Sequence, residues 1–342
     1  MKKVENILLV RTDRIGDVVL SLPLAKIIKQ KYPNFKITFL VKEYTKGLLS
    51  NHPYIDNILI LKEKSRKILF KENIGQLKKY SFDNCIIVNP TLKMAIILFL
   101  SKIKNRIGSG YRWYSFLFNK KIYEHRKYGE KHELEFNINL LKEINIDFQP
   151  TYKNIDFDIQ IEEKTKHLIE KFLKDFSIKN KFVIVHPGSG GSAIDLPLPK
   201  YSELIKYLTE ELNLSVLLTG LENEKILCNS LVNNNNVINC AGLFNLQQLI
   251  ALINKCKLLI SNSTGPIHIA AALGKYVIGF YPKIKACSSN RWGPYTDKKI
   301  IVVPPINCSN CTRKQCEKIK CMETIEIVPL FDKIKNIIEF TN

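Results

Sequence analysis

The stretch CKLLISNSTGPIHIAAALG, residues 256–274, places an apolar segment, a loop of small polar residues and a helix-like segment in direct succession. Ser263 or Thr264 is a natural N-cap residue, and Pro266 suits the first turn of a helix. The N-terminus of such a helix offers free backbone N–H groups and the positive end of the helix dipole to an anion. On its own, the stretch is equally typical of a capped core helix with His268 buried inside it.

The same order of strand, loop and helix recurs along the chain. Apolar segments separated by amphipathic ones predict parallel sheets that are covered on both faces, so the fold class is α/β. A segment at 148–160, FQPTYKNIDFDIQ, joins two such halves, and we expect a cleft between them with ligands at the carboxyl ends of the strands. The predicted strands cover residues 4–10, 36–41, 58–61, 82–88, 182–188, 215–220, 256–262 and 276–282.

The length and apolar content of the chain limit its class. A chain of 342 residues is long for one hydrophobic core, which favours two domains. The apolar run MAIILFL, 94–100, is shorter than the roughly 18 residues that span a bilayer. The apolar N-terminal segment is too short for a signal peptide. We therefore expect a cytoplasmic protein.

The formal net charge is +20 at pH 7. Such a charge is typical of proteins that bind nucleic acid, an anionic membrane surface or phosphorylated substrates. A lysine-rich solvated surface explains it equally well, so the charge alone does not select a partner.

The loop HPGSGGSAID, 186–195, follows a predicted strand and is rich in glycine. Glycines let backbone N–H groups approach phosphate oxygens, and Ser189 and Ser192 add hydroxyl donors. The loop matches neither the Walker nor the dinucleotide glycine pattern, and alone it could be an ordinary turn. Two anion-capable loops at strand ends of one half predict a site for a nucleoside diphosphate.

Carboxylates follow two further predicted strands. Glu222 and Glu224 in TGLENEK could accept hydrogen bonds from ribose hydroxyls or belong to a solvated turn. Asp17 in RTDRIGDVV stands at a helix start. It could cap that helix, or act as a general base on an acceptor hydroxyl in the cleft.

Several motifs together resemble glycosyltransferase family 9, the bacterial ADP-heptose:lipopolysaccharide heptosyltransferases. They include RTDRIGDVVLSLP, the glycine-rich loop, the segment 241–274, RWGPY, RIGS and KHELEFNINLL. The resemblance implies a GT-B fold of two Rossmann-like domains whose parallel sheets face an interdomain cleft. It implies an acceptor domain at 1–155, a nucleotide-sugar domain at 156–325, and a C-terminal helix at 326–342 that packs back toward the first domain.

The resemblance further implies inverting, metal-independent transfer of a heptose from ADP-heptose to a lipopolysaccharide core or related surface glycan, with no cofactor required. Another nucleotide sugar on the same fold is the alternative. Asp17 matches the family's proposed catalytic base. The implied diphosphate-binding residues are Ser189, Gly190, Gly191, Ser192, Thr264, Gly265, Pro266 and His268. The implied ribose- and sugar-binding residues are Glu222, Glu224 and Ser263, and those for the acceptor are Arg14, Arg106, Arg112 and His132.

The chain departs from the family pattern at two places. Many relatives carry an aspartate where this chain has Ser263, which leaves the donor sugar open and also allows a sugar-binding relative without turnover. Many carry a basic residue after the glycine-rich loop, where this chain reads Ile194-Asp195-Leu196-Pro197. Backbone groups, or a distant lysine or arginine, must then compensate the negative charge of the diphosphate.

Nine cysteines form two groups. Cys308, Cys311, Cys316 and Cys321 have the spacing C-x2-C-x4-C-x4-C, which can hold structural zinc or an iron–sulfur centre, or contain reduced thiols or a disulfide. A basic nucleic-acid-binding protein with a four-cysteine metal module is a hypothesis from a different class. The other five are interpreted as small core residues: Cys85, Cys228, Cys240, Cys256 and Cys287.

The segment 93–131 is both basic and aromatic. Such a composition is found in grooves where nucleic-acid bases stack, and a core role for the aromatic residues is also open. The family resemblance implies instead an anionic glycolipid acceptor, peripheral contact with the inner membrane through Trp113 and Phe116, and no nucleic-acid partner.

Overall fold

The computed structural model describes residues 5–178, 181–191, 193–307 and 311–340, so Ser192 and Cys308 lie outside the described residues. The chain divides into two compact units. The N-terminal unit comprises Met1–Arg126 with Lys131–Gln160, and the C-terminal unit comprises Lys127–Glu130 with Ile161–Asn342. The division falls at the end of the segment 148–160 that was expected to join two halves. The finer boundaries at 155 and 325 stay predictions.

The N-terminal unit is built on a parallel sheet in the order β3-β2-β1-β6-β7-β8. Leu8 of β1 lies opposite Thr38 on one side and Cys85 on the other. The strands are β1 Asn6–Val10, β2 Lys36–Val41, β3 Asn57–Ile60, β4 Glu63–Lys64, β5 Lys67–Ile68, β6 Asn84–Ile87, β7 Asn105–Ser109 and β8 Lys120–Ile122, of which β4 and β5 form a separate hairpin. The helices are α1 Ile15–Val19, α2 Pro23–Lys31, α3 Phe70–Lys78, α4 Leu92–Leu100 and α5 Glu133–Asn139.

The helical segment after RTDRIGD is broken where its sequence pattern reads as continuous. Helix α1 ends at Val19 and α2 begins at Pro23. Proline has no N–H to donate and favours the first turn of a helix over its interior. The break leaves α1 as a short helix at the carboxyl end of β1, with Asp17 in its first turn.

The C-terminal unit repeats the architecture with the order β11-β10-β9-β12-β13-β14, all parallel. Its strands are β9 Phe182–His186, β10 Ser215–Leu218, β11 Val237–Asn239, β12 Leu258–Asn262, β13 Tyr276–Phe280 and β14 Lys299–Val302. Its helices are α6 Glu163–Asp175, α7 Leu198–Lys206, α8 Lys225–Asn229, α9 Leu246–Lys255, α10 Gly265–Ala272, α11 Ser289–Trp292, α12 Arg313–Ile319 and α13 Phe331–Phe340.

Each sheet has a switch point where successive connections leave in opposite directions. In the N-terminal unit it lies between β1 and β6, and in the C-terminal unit between β9 and β12. Ligands of doubly wound sheets bind outside the carboxyl ends of the strands at such points. The α/β class with two parallel sheets is confirmed, and it puts the loops after β1, β9 and β12 at the ligand-binding edges.

Two apolar segments have a definite place in these units. Helix α4 contains the run 94–100 and buries Met94, Ile97 and Leu98 in the N-terminal unit. Helix α13, in the segment expected to pack back toward the first domain, places Ile334 and Ile338 in the core of the C-terminal unit. Across the residues that the structure describes, none of the helices has both the length and the apolar character needed to cross a membrane.

Candidate active site

Asp17 lies at the carboxyl edge of the N-terminal sheet and does two things there. Its Oδ2 accepts a hydrogen bond from the backbone N–H of Arg14 at 3.3 Å, which helps to satisfy the start of α1. Its Oδ1 contacts the guanidinium of Arg11. The side chain keeps 15% of its surface exposed, so the carboxylate is fixed without being sealed from ligands.

Arg11 is the centre of a buried charge network. Its side chain is 1% exposed, and its Nη2 lies 3.4 Å from Glu133 Oε1. Its Nε lies 3.5 Å from Asp13 Oδ2. Burial alone would lower the pKa of Arg11, but attraction to Asp13, Asp17 and Glu133 outweighs it and raises the pKa. Arg126 contacts the same carboxylate oxygen, Glu133 Oε1, so the buried carboxylate has two cationic partners.

Helix α5 brings Glu133 to Arg11. His132 is the N-cap residue, and its Nδ1 accepts the backbone N–H of Leu134 at 3.2 Å. Asn137, one turn further on, donates from Nδ2 to the carbonyl oxygen of Leu20 at 3.0 Å. The helix is therefore attached to the end of α1, and the motif KHELEF supports Asp17 through Arg11.

Asp13 is a second carboxylate at the same edge. Asn89 Nδ2 donates to Asp13 Oδ2 at 2.5 Å. Burial raises the pKa of Asp13 against the lowering effect of Arg11, and the nearby charge of Asp17 adds to the rise. Asp13 and Asp17 both contact the buried Arg11, and a carboxylate of such a pair can accept a proton.

The residues predicted for the acceptor do not all lie at this edge. Arg14 is exposed beside Asp17, and Arg112 is exposed after β7. His132 caps α5, as described above. Arg106 lies near the amino end of β7, where its Nε donates to the carbonyl of Leu117 at 2.8 Å and its Nη1 to that of Ile103 at 2.5 Å. These contacts hold the Arg106 guanidinium on backbone carbonyls away from the ligand-binding edge, which is a structural role.

The glycine-rich loop follows β9 in the C-terminal unit. Gly190 and Gly191 have φ of 52° and 74°, a left-handed conformation that favours glycine. Asn262, at the end of β12, accepts the N–H of Leu196 at 2.9 Å and donates to the carbonyl of Pro187 at 2.7 Å. Its buried amide therefore fastens both ends of the loop.

The two candidate ribose carboxylates have different surroundings. Glu224 is buried, and its carboxylate accepts the N–H of Gly190 at 3.1 Å and that of Leu221 at 2.7 Å. A Cβ at Gly188 would overlap this carboxylate. Glu222 has a side chain that is 73% exposed and lies against Gly242. Glu224 thus braces the loop and engages the Gly190 amide, whereas Glu222 faces solvent.

The loop in SNSTGPIH follows the end of β12, the strand next to β9, at the same edge of the C-terminal sheet. Thr264 takes the N-cap position of α10, and its hydroxyl lies 3.5 Å from that of Ser261. Gly265 and Pro266 form the first turn, and His268 in the same helix is 4% exposed. The side chain of Ser263 hydrogen-bonds to Tyr281.

His186 ends β9 beneath the glycine-rich loop. Burial lowers its pKa to about 4, so the ring is neutral at physiological pH. Its Nδ1 lies 2.9 Å from the hydroxyl of Thr219 at the end of β10. The base of the loop is therefore held by a neutral side chain.

The cysteine predictions have two outcomes. Cys316 and Cys321 form a disulfide, one of the alternatives that the sequence left open, and within the described ranges no group of three or more His, Cys, Asp or Glu side chains could hold a metal ion. Cys308 lies outside the described residues, so the four-thiolate set stays a prediction. Cys287 is exposed rather than a core residue because it ends a turn at Lys285–Cys287. The other four scattered cysteines are buried, as expected.

The aromatic residues of the basic segment divide into two sets. Trp113 is 76% exposed and Phe116 is 70% exposed. Tyr114 and Phe118 are buried in the N-terminal core. A core role therefore explains Tyr114 and Phe118 but not Trp113 and Phe116.

Sequence reasoning missed four residues that support the site: Arg11, Glu133, Arg126 and Asn262. A charged residue directly after an apolar strand, as Arg11 follows β1, is one usable signal. A polar residue ending an otherwise apolar strand, as Asn262 ends β12, is another.

Residues 72–322 match the family model described as glycosyltransferase family 9 (heptosyltransferase). This chain belongs to glycosyltransferase family 9. It is 31% identical over 316 residues to a putative glycosyltransferase of Haemophilus influenzae, covering 88% of this chain and 90% of that protein. It is 26% identical over 287 residues to lipopolysaccharide heptosyltransferase 1 of Campylobacter coli, covering 79% and 82%.

A solved structure supports the fold assignment. The ADP-heptose lipopolysaccharide heptosyltransferase II of E. coli superposes with a TM-score of 0.77 over 97% of this chain and 98% of its own, at 19% identity. The GT-B class is thereby confirmed. The family 9 membership makes this protein a glycosyltransferase of the heptosyltransferase family.

Proposed function

We propose that this family 9 enzyme transfers a heptose from ADP-heptose to a lipopolysaccharide core or related surface glycan, with inversion and without a metal ion. The observation that carries the proposal is the Asp17 carboxylate, which Arg11 holds at the ligand-binding edge of a Rossmann-like sheet. The fold that this chain shares with the E. coli ADP-heptose lipopolysaccharide heptosyltransferase II supports this donor.

In this mechanism Asp17 takes the proton of the acceptor hydroxyl. The acceptor oxygen bonds to the anomeric carbon as the bond from that carbon to the diphosphate breaks, and the carbon gains oxocarbenium character. Attack opposite the leaving group inverts the configuration. The proton ends on Asp17, and the electron pair leaves with the nucleoside diphosphate.

The leaving diphosphate needs positive potential in place of a metal ion. Backbone N–H groups at Gly265 and in the first turn of α10 supply it, together with the helix dipole. Ser189 and Gly191 of the glycine-rich loop add further contacts, and Ser192, which lies outside the described residues, stays a predicted contact. Gly190 contributes through its backbone conformation, because its N–H already donates to Glu224.

Side chains near these loops are the candidates for contacts with the ribose and the sugar of the nucleotide-sugar donor. Glu222 is the better candidate for the ribose hydroxyls, since its carboxylate is exposed while Glu224 is engaged beneath the loop. Ser263 is the candidate for the donor sugar. Because a hydroxyl stands here and already bonds to Tyr281, another nucleotide sugar is the second candidate donor.

For the acceptor, an anionic glycolipid at the cytoplasmic face of the inner membrane agrees with the exposed side chains. Trp113 and Phe116 are exposed beside the exposed Arg112, which combines apolar anchoring with a charge for phosphate. Arg14, beside Asp17, is placed to contact the acceptor as well. We infer peripheral contact with the membrane at this surface.

The test combines ligand binding with turnover. The purified protein is heated with ADP, UDP, GDP or CMP, and transfer is then assayed with the matching sugar nucleotide and a heptose-deficient lipopolysaccharide, with and without EDTA. We expect the largest stabilisation with ADP, and transfer from ADP-heptose that persists in EDTA. A preference for UDP or GDP would show that the donor is another nucleotide sugar. Loss of transfer in EDTA would show that the reaction needs a metal ion. No response to any nucleotide would overturn the proposal.

A further inference from the structure

The glycine-rich loop carries negative charge where a diphosphate is proposed to bind. The carboxylate of Glu224 lies beneath Gly188 and Gly190. Asp195, at the end of the loop, accepts a hydrogen bond from Ser189. A diphosphate on this loop would face two carboxylates, so backbone amides alone leave its charge poorly compensated.

Arg313 reaches this loop from the far end of the sequence. Its Nη1 donates to the carbonyl of Gly191 at 3.1 Å, and its Nη2 donates to the carbonyl of Ala193 at 3.0 Å. Its positive charge also acts on Asp195, whose pKa it lowers against the larger raising effect of burial. Although 122 positions separate Arg313 from Gly191, the guanidinium lies on the loop itself.

The surroundings of Arg313 fix its direction. It is the first residue of α12, which Thr312 caps by accepting the N–H of Gln315 at 3.3 Å. Glu317, one turn later, accepts the Nε–H of Arg313 at 2.8 Å. Cys316 anchors the helix in the core and is joined to Cys321. The cysteine segment thus presents an arginine to the glycine-rich loop.

The guanidinium has donors left for a ligand. Of its five N–H groups, three are used by Glu317, Gly191 and Ala193. One N–H remains on each of Nη1 and Nη2, in the planar geometry that suits phosphate oxygens. The side chain is 52% exposed, so a ligand on the loop can reach these donors.

We propose that Arg313 is the cation that binds the diphosphate of the sugar donor on the glycine-rich loop after β9, which it contacts at Gly191 and Ala193. This inference rests on the proposed function and names a residue for it. It also gives the cysteine segment a role, which is to position Arg313 rather than to supply a ligand of its own.

The experiment measures ADP and adenosine affinity by calorimetry, because the two probes differ only in the diphosphate. Arg313→Gln removes the charge, Arg313→Lys keeps it, and Lys314→Gln is the matched control at an exposed neighbour on α12. We expect Arg313→Gln to weaken ADP binding about 10- to 100-fold, as loss of a charge-assisted contact does. Adenosine affinity should stay within about twofold, Arg313→Lys should recover most of the ADP affinity, and Lys314→Gln should resemble the wild type.

A second measurement separates charge from loop bracing. If Arg313 acts by charge, Asp195→Asn added to Arg313→Gln should restore part of the ADP affinity, since it removes a repelling carboxylate. If Arg313 only braces the loop, Lys fails like Gln and adenosine binding falls with ADP binding, which overturns the inference.

The experiment separates a failure of the proposed donor site from a failure of the role proposed for Arg313. If the wild type binds ADP no better than adenosine, the donor site itself is wrong and the inference falls with it. If the wild type prefers ADP and Arg313→Gln keeps that preference, only the role of Arg313 is wrong.

Discussion

The Asp17 site and the glycine-rich loop both lie at the carboxyl edge of a six-stranded parallel sheet, yet they are held by different forces. Asp17 is fixed by buried charges, with Arg11 contacting it and Glu133 behind Arg11. The loop is fixed mainly by hydrogen bonds to its backbone, which the amide of Asn262 and the carboxylate of Glu224 provide.

The difference follows from what each edge is proposed to bind. A base must remain an anion, so a buried cation that compensates its charge is useful. A cradle for a diphosphate must offer N–H donors, so its supports have to act on the backbone and leave donors facing outward. The position of Asp17 is therefore sensitive to loss of a charge, and the conformation of the glycine-rich loop to loss of a hydrogen bond.

The largest expected effect is on turnover, through Asp17→Asn. The amide keeps the shape of the side chain but cannot take the acceptor proton, so we expect kcat to fall about 10²- to 10⁴-fold with donor affinity unchanged. Initial rates and calorimetry with ADP measure the two quantities. Asp13→Asn is the matched control, with an expected loss below about tenfold; an equal loss would make Asp13 the base instead.

Arg11→Met tests the charge network through stability. The substitution takes one cationic partner from the buried Glu133, which keeps its contact with Arg126, and it removes the guanidinium that contacts Asp17. We expect the free energy of unfolding to fall by about 3–5 kcal/mol, as for other broken buried ion pairs. Denaturant unfolding measures it, and Glu133→Gln added to Arg11→Met should recover part of the loss.

The exposed Arg14→Met supplies the comparison for Arg11. A surface substitution of this kind changes stability by about 0.5 kcal/mol or less. Equal effects at Arg11 and Arg14 would contradict a buried network.

Acid should weaken the C-terminal unit through His186. Burial lowers its pKa from 6.5 to about 4, so between these values the unfolded chain binds a proton that the folded chain refuses. The free energy of unfolding therefore falls as pH drops from about 6.5 and levels off below about 4. At about 1.36 kcal/mol per pKa unit, this residue accounts for about 3 kcal/mol of the loss.

His186→Gln should remove that part of the pH dependence, which unfolding curves at pH 7 and pH 4.5 will measure. His167→Gln is the control, because His167 has a 76% exposed side chain on α6. If both variants keep the wild-type dependence, the acid sensitivity arises elsewhere.

The smallest expected effect is that of Asn262→Ala. The substitution leaves the N–H of Leu196 and the carbonyl of Pro187 without their partner, at a cost of about 1–3 kcal/mol in unfolding free energy. ADP affinity should also fall, because the loop is no longer fastened at both ends. Asn233→Ala, at an exposed position in the segment between α8 and β11, should change neither quantity.

Local sequence signals predicted much of the fold because they depend on neighbours along the chain. Apolar runs predicted the central strands, and a capping residue predicted the start of α10 at Thr264. The strands β7, β8, β11 and β14 were not predicted, and β8 and β11 have only three residues each, which carry too little periodicity. The break before Pro23 shows that one residue can divide an otherwise helical pattern.

The site was predicted less completely because its supports come from distant positions. Glu222 and Glu224 are two residues apart and look alike in sequence, yet only packing puts Glu224 beneath Gly188. Arg106 looked like an acceptor residue until its place near the amino end of β7 gave its guanidinium other partners.

The sequence by itself determined the α/β class and the family, and it pointed to the loops proposed to carry the site, since each depends on a local pattern or a motif. Only the tertiary structure decided what holds those loops. Arg11 and Glu133 lie 122 positions apart, and their contact depends on α5 packing against the end of α1. Burial then decides their chemistry, because a charge removed from water is stable only beside its partner.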